Sequence, residues 1–367
     1  MVVISQIFRF KEIMVSVIMI KFFAHVHLLP LAYHTWFFYQ IAFAQDISQQ
    51  IQIGTNFYPR EISCIGVLGD SVSAGFSIEN GLYENRGKSF NIGGERGYLT
   101  LPNLFERFGG NKTCAAYGNT FITHSLKKYS ILKKSEKEDS VAHPNCNVAV
   151  SGALSNQLNS EFKDLMDEWI EFNCLNKKKV LTIMMGANDI CDFCLNGYKN
   201  TIDTYILNME SVFNKINENL INTFVNVIST FDIGLTAQYQ SEHCKMIHYV
   251  INECPCILGR DYTNGNLGIV KKLYKDINKR LYLLVKNQEK NQNQNGNKFV
   301  IQPIMEDFKI YNSSYLSEFD CFHPTEFGHK NMATILWNNM FLPVGQKIKE
   351  MKNLLPIYEP KDDDFLQ

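Results

Sequence analysis

The chain has 367 residues, of which 45% are hydrophobic and 20% charged, with a formal net charge of −1. That is ordinary globular composition, long enough for one large domain or two small ones. The near-neutral balance excludes recognition driven by a basic surface, so no nucleic-acid partner and no steering by an anionic membrane are expected.

The N-terminus differs from the rest. Residues 14 to 44 are strongly apolar, with Lys21 near their start, and close on Ala42-Phe43-Ala44 before polar Gln45-Asp46. A basic residue, an apolar run and a small-x-small end describe a secretory signal, residues 1–44, cleaved after Ala44. Initiation at Met14 or Met19 would give it the usual length. The alternative is an uncleaved anchor, because the stretch is long enough to span a bilayer. His25, His27, Pro30 and His34 interrupt it and weigh against that alternative. No second stretch of spanning length follows, so a soluble mature chain is expected. Residues 45–61 read as a polar lead-in.

From there, short apolar runs alternate with helical periodicity. The runs are Cys64–Leu68, Asn147–Val150, Val180–Met185, Val225–Thr230 and Phe299–Ile304. They are not alternating, as suits strands buried on both faces. Between them, Leu158, Phe162, Leu165, Met166, Trp169 and Ile170 share one helical face. Ile202, Ile206, Met209, Phe213, Ile216 and Leu220 share another, and Ile269, Leu273, Ile277, Leu281 and Leu284 a third. Strands alternating with helices imply an α/β sandwich around a parallel sheet of about five strands. Residues 62–345 form this domain, with insertions near 76–145 and 231–265, and 346–367 form a C-terminal tail. The Asn/Gln run from Gln288 to Lys298 reads as a solvated loop.

Ten cysteines on a secretory route imply disulfides, with connectivity left open by the sequence. Cys191-x-x-Cys194 and Cys254-x-Cys256 also have metal-ligand spacing, but zinc needs reduced thiolates and closed tetrahedral ligation. Asn111-Lys112-Thr113 and Asn312-Ser313-Ser314 are candidate glycosylation sites.

In an open parallel sheet, ligands bind beyond the carboxyl ends of the strands. Ser71 follows the first run and Gly152 the second. Asn188 follows the third, and Asp320 and His323 follow the fifth by a longer loop. These residue types suit acyl transfer. A serine hydroxyl is a poor nucleophile until a base takes its proton, and the base needs an orienting group. Ser71 is the candidate nucleophile, His323 the base and Asp320 the orienter. The backbone N–H groups of Ser71 and Gly152, with the Asn188 side-chain amide, are the candidate oxyanion hole. Taken singly, Gly-Asp-Ser starts a helix with a capping group, Gly-x-Asn-Asp makes an ordinary turn, and Asp-x-x-His makes a loop ion pair. Their joint order after the right strands carries the argument.

These four motifs resemble the sequence blocks of the SGNH hydrolases, or GDSL lipases. The first block reads Gly69-Asp70-Ser71-Val72, with valine in place of the usual leucine. Ser73 breaks the Gly-x-Ser-x-Gly pattern of the α/β-hydrolase elbow. Asn91-Ile92-Gly93-Gly94, Thr100-Leu101-Pro102-Asn103, Asn147 to Ala153, Gly186 to Cys194 and Asp320-Cys321-Phe322-His323-Pro324 are similar to the phospholipase B branch, across roughly residues 62 to 341.

The resemblance implies a flavodoxin-like three-layer α/β/α sandwich. It implies hydrolysis of fatty-acyl esters of phospholipids or lysophospholipids through an acyl-enzyme, with no metal or other cofactor. The partners expected are an acyl-ester substrate and a transient membrane or micelle surface. The protein is expected to be a monomer, secreted or in the endolysosomal lumen. A disulfide from Cys321 is expected to pin the loop that carries Asp320. The rivals are an esterase of sugars or small esters on the same fold, and a non-catalytic lipid- or glycan-binding protein.

Overall fold

The protein was analysed as a computed structural model that describes residues 56–122, 143–289, 295–310, 312–351 and 355–367. The signal segment and its cleavage point lie outside the described residues, as does 123–142 of the first insertion. In chain order the elements are β1 (Cys64–Gly69), α1 (Ser71–Ala74), β2 (Tyr83–Glu84), α2 (Leu101–Arg107), β3 (Thr120–Phe121) and α3 (Leu158–Glu171). They continue with β4 (Lys179–Met184), α4 (Ala187–Cys191), α5 (Tyr198–Asn219), β5 (Thr223–Ile228), α6 (Glu242–Ile251), α7 (Asn266–Glu289), β6 (Lys298–Gln302) and α8 (Glu326–Asn339). None of the described helices is long and apolar enough to cross a membrane.

The main sheet has the order β1-β4-β5-β6, all parallel, while β2 and β3 form a small antiparallel pair. Register explains the three layers. Gly66, Leu181, Val225 and Phe299 stand in one row across the sheet. Gly66 meets the Trp169 ring of α3, and Phe299 packs against Phe213 of α5 with ring centres 5.0 Å apart. A Cβ at Gly66 would lie 2.7 Å from Trp169 Cζ2, so only glycine lets α3 approach this closely. The next row, Val67, Thr182, Asn226 and Val300, faces the other way. There the Asn226 amide lies 3.4 Å from Met340 Sδ, directly after α8. Strands covered on both faces have no solvent side to carry polar residues, which is why the runs do not alternate, and Thr182 and Asn226 are buried exceptions.

The sequence expected a fifth strand at Asn147–Val150. That segment does lie beside β1, but as irregular chain joined by a single parallel bridge at Val67–Asn147. Val67 N–H donates to Cys146 O at 3.0 Å and Val150 N–H to Gly69 O at 3.0 Å. Thr113 bridges Cys64 lower on the same edge. The physical reason is Glu161, whose carboxylate takes Gly69 N–H at 2.8 Å, the β1 donor that would extend the pairing to Val148. The alternate carbonyls, of Asn147 at 2.9 Å and Ala149 at 3.0 Å, point the other way and accept from the buried guanidinium of Arg86.

Three finer expectations are also corrected. Ile170 and Ile269 were placed on buried helical faces but are exposed, each at the margin of its stripe. The Asn/Gln run is not wholly a solvated loop, since α7 extends through Glu289, Gln288 is buried, and Asn297 is buried at the start of β6. Asn297 accepts from Thr223 N–H at 3.1 Å and donates to Leu220 O at 2.8 Å, closing the end of β5.

Five disulfides join all ten cysteines: Cys64–Cys174, Cys114–Cys146, Cys191–Cys254, Cys194–Cys256 and Cys244–Cys321. The two short-spaced pairs are therefore cross-linked to each other, tying the segment after α6 to α4 and the turn that follows it. The C-terminal tail packs back on the domain: Leu366 is buried and its N–H donates to Phe57 O at 2.8 Å.

Candidate active site

Ser71, Asn188, Asp320 and His323 lie beyond the carboxyl ends of β1, β4 and β6, while Gly152 follows the irregular segment beside β1. Asp70 ends β1 and caps α1, its Oδ1 accepting from Val72 N–H at 3.1 Å. The chain then turns sharply through α1 and leaves at Gly75 in the left-handed region. This presents Ser71 at the sheet rim. Asn188 opens α4 directly after β4. Gly152 lies on the loop pinned to Gly69. Asp320 and His323 lie between β6 and α8 on a loop closed by Ser317 N–H to His323 O, 2.8 Å, and Cys321 N–H to Ser317 O, 2.8 Å.

The geometry is that of a catalytic triad. His323 Nε2 lies 2.7 Å from Ser71 Oγ, and His323 Nδ1 lies 2.7 Å from Asp320 Oδ2. The other Asp320 oxygen accepts from the backbone N–H groups of Phe322 at 2.9 Å and His323 at 3.0 Å. All three residues are buried. The rings of Phe76 and Phe322 pack edge-on against the imidazole, with centres 4.7 and 5.0 Å away. Aromatic walls on two sides leave the ring little freedom to leave the Ser71–Asp320 line.

Burial alone would lower the His323 pKa, but the charge and hydrogen bond of Asp320, with Glu253 and Asp70 further off, raise it above the usual histidine value. For Asp320, burial opposes ionisation, yet the imidazole and two backbone N–H donors hold its carboxyl below the ordinary range. Asp70 has no such cation in contact, and burial pushes it up to about 6. His329, buried nearby, accepts from Phe90 N–H on Nδ1 at 3.2 Å and is held neutral, its pKa lowered to about 3 mainly by burial.

Two of the oxyanion candidates, Ser71 and Asn188, line one pocket with His323. Asn188 Nδ2 donates to Ala153 O at 2.9 Å, which uses one of two amide hydrogens and ties the third block to the second. Asp189 makes the same tie from its carboxylate, accepting from Ser155 N–H at 3.0 Å and Ser155 Oγ–H at 2.5 Å. Gly152 has φ +81°, a left-handed conformation that side chains rarely adopt.

Sequence reasoning missed what supports this rim. Arg86 is fully buried against Glu84 at 2.8 Å, and Glu84 also accepts from Ser151 Oγ–H at 2.6 Å, one residue before Gly152. Both lie in an insertion whose composition gave no sign of them. Glu253 was missed as well. The pocket beside Ser71 is lined by Phe231, Ile233, Met305, Phe308 and Leu316 and encloses about 30 Å³ of free space.

The family model for the GDSL-like lipases and acylhydrolases matches residues 65–336. The chain belongs to this family. As a GDSL-like lipase/acylhydrolase it is an ester hydrolase by descent. It is 26% identical over 313 residues to mouse membrane-associated phospholipase B1, covering 79% of this chain and 20% of that protein. The human protein is likewise 26% identical over 318 residues, 80% of this chain and 20% of its own length. The chain thus spans about a fifth of the length of these curated relatives. A crystal structure of a GDSL-like lipase from Parabacteroides merdae is 17% identical, covers 77% of this chain and 97% of its own, and has a TM-score of 0.38.

Proposed function

We propose that the protein hydrolyses fatty-acyl esters of phospholipids or lysophospholipids. Ser71 attacks the ester carbonyl while His323 takes its proton. The oxyanion forms against Ser71 N–H, Gly152 N–H and the Asn188 amide. His323 then protonates the leaving alcohol, and water repeats the sequence to release the fatty acid. Asp320 fixes the tautomer that keeps Nε2 free to accept. The observation that carries this reading is the continuous Ser71–His323–Asp320 contact, 2.7 Å at each link. The apolar pocket beside Ser71 and the phospholipase B1 relatives favour a lipid acyl group.

The compartment follows from the same reading. Five disulfides suit an oxidising environment, so we place the protein outside the cell or in the lumen of the secretory route. Residues 1–44 serve as its signal. Asn111 and Asn312, both exposed, are its glycan acceptors.

The size of the pocket favours a second reading. About 30 Å³ holds a water molecule or two, not an extended acyl chain. A lipid substrate therefore requires the pocket to widen, whereas a short-chain ester does not. The deciding experiment measures fatty-acid release from phospholipid and lysophospholipid vesicles beside hydrolysis of p-nitrophenyl acetate, with Ser71→Ala as control. Release from vesicles that Ser71→Ala abolishes supports the lipid reading. Acetate hydrolysis alone supports the small-ester reading, and equal rates in both proteins remove Ser71 as nucleophile.

A further inference from the structure

The segment after α6 brings a second carboxylate to the catalytic imidazole. Glu253 Oε1 lies 3.3 Å from His323 Nδ1, on the side that Asp320 also faces. Its other oxygen lies 3.0 Å from Nδ1 of His248, a histidine buried in α6. That approach is close, but neither atom makes an aligned hydrogen bond, so the contact acts through charge and packing. Glu253 is 12% exposed at its side chain, and a carboxylate so nearly dry is costly unless cationic or polar groups face it.

The backbone holds Glu253 firmly in place. Asn252 and Cys254, on either side of it, both have positive φ, 53° and 45°. Glu253 N–H donates to His248 O at 3.2 Å, and Cys254 is bonded to Cys191 at the end of α4. Left-handed non-glycine residues persist where surrounding structure holds them. Here a helix end and a disulfide hold the residue between them against the active site.

We propose that Glu253 is a second positioning carboxylate for His323, sharing the Nδ1 side of the ring with Asp320 and supported from behind by His248. The inference rests on His323 being the catalytic base. The Nδ1 hydrogen belongs to Asp320, whose oxygen is nearer. Glu253 adds negative charge where the imidazolium forms and stands ready to accept the same hydrogen if Asp320 cannot. The titratable groups facing His323 are then Asp320, Glu253, Asp70 and His329. Three of them are carboxylates, of which Glu253 alone comes from the α6 segment. A shared metal ion is a poor account of this cluster. Two ligands at roughly 2.0–2.2 Å from one tetrahedral zinc stand well over 3 Å apart, whereas Asp320 Oδ2 and His323 Nδ1 are 2.7 Å apart.

The test uses the secreted, oxidised protein. It measures the pH dependence of kcat/KM on a p-nitrophenyl ester, and fluorophosphonate labelling, for wild type, Glu253→Gln, Asp320→Asn and the double variant. Glu253→Gln should move the acid limb to lower pH, because less negative charge faces the imidazolium. A role in folding alone would not move that limb. Asp320→Asn should keep about tenfold more activity than the double variant, and should lose less than the roughly 10⁴-fold seen when the sole carboxylate of a triad is amidated. A full loss in Asp320→Asn, equal to the double variant, overturns the proposal. So does an acid limb that stays in place in Glu253→Gln. Should Glu253→Gln not fold, Asp320→Asn decides alone, since it leaves Glu253 untouched: a loss of the full roughly 10⁴-fold overturns the proposal and a smaller one supports it. A wild-type protein that neither labels nor hydrolyses would instead remove the catalytic reading beneath it.

Discussion

Cys321 is bonded to Cys244 of α6, so the residue next to Asp320 is covalently tied to a helix 77 positions earlier. Cys321 itself has φ 51°, which the Ser317–His323 loop closure and this bond together sustain. The bond sets the depth at which Asp320 and His323 meet Ser71. Cys244→Ser paired with Cys321→Ser should therefore reduce kcat more than it reduces KM. A disulfide of this kind contributes about 2–4 kcal/mol to stability. Turnover of the double variant, measured well below its own melting temperature, should fall about tenfold, the cost of ~1.4 kcal/mol in transition-state alignment. Unchanged kcat would mean the loop holds its shape without the bond.

Removing the Asn188 amide should lower kcat by about 10²–10³-fold, the usual cost of one oxyanion donor, and the lost bond to Ala153 O should cost about 1 kcal/mol of stability. Gly152→Ala should lower it too, for a different reason. Its φ of +81° puts a side chain in strain, although nothing lies within 4 Å of the added Cβ. Thermal unfolding measures the stability each variant loses, and kcat taken well below both melting temperatures isolates the loss in catalysis.

Activity should rise with pH through a midpoint above about 6.5, the value of an unperturbed histidine. The base works only when neutral, and Asp320, with Glu253 and Asp70 further off, holds His323 protonated to higher pH than usual. The stability sign is opposite. A histidine raised in the folded state contributes stability that is fully present below pH ~6.5 and is lost as pH rises through the folded value. Asp320, lowered in the folded state, contributes stability that is lost as pH falls below about 4. Paired kcat/KM and unfolding profiles would check both limbs. An acid limb at or below the free-histidine value would contradict the Asp320 pairing.

Arg86→Ala should destabilise by about 3–5 kcal/mol, because it removes the cation from the buried Glu84 carboxylate and the donor from two carbonyls of the 147–149 segment. Activity of the folded fraction should drop as well, since Glu84 holds Ser151 beside Gly152. Chemical denaturation and active-site titration of the same sample separate the two losses. A variant as stable as wild type would show that water replaces the guanidinium.

Much of this was legible in the chain because the signals are local. Four buried strands announce themselves as unbroken apolar runs, and the α3, α5 and α7 stripes follow helical period closely. Ser71, Asn188 and His323 were legible because each follows such a run, and parallel sheets gather strand ends on one side. The misses share a cause. Asn147–Val150 has a strand's composition, but the β1 donor that would extend its pairing, Gly69 N–H, is taken by Glu161, 92 positions away. Asn297 belongs to a polar tract and is buried because it closes the end of β5. Glu253 follows α6 in an insertion, and the helix end with the Cys191–Cys254 bond brings it inward. Where a distant side chain decides the outcome, periodicity and composition carry no trace of it.

The cover on the outer edge of β1 also affects how the protein behaves in concentrated solution. An open edge strand offers unpaired N–H and C=O groups to any other chain and templates sheet-to-sheet association. Here Thr113 and the 146–150 segment take those groups irregularly, and Arg86 plants a charge against the segment from behind. A second molecule approaching that edge finds neither a straight strand nor free carbonyls at Asn147 and Ala149. The side chain that steadies the loop before Gly152 thus also guards this edge of the sheet against pairing with neighbouring copies.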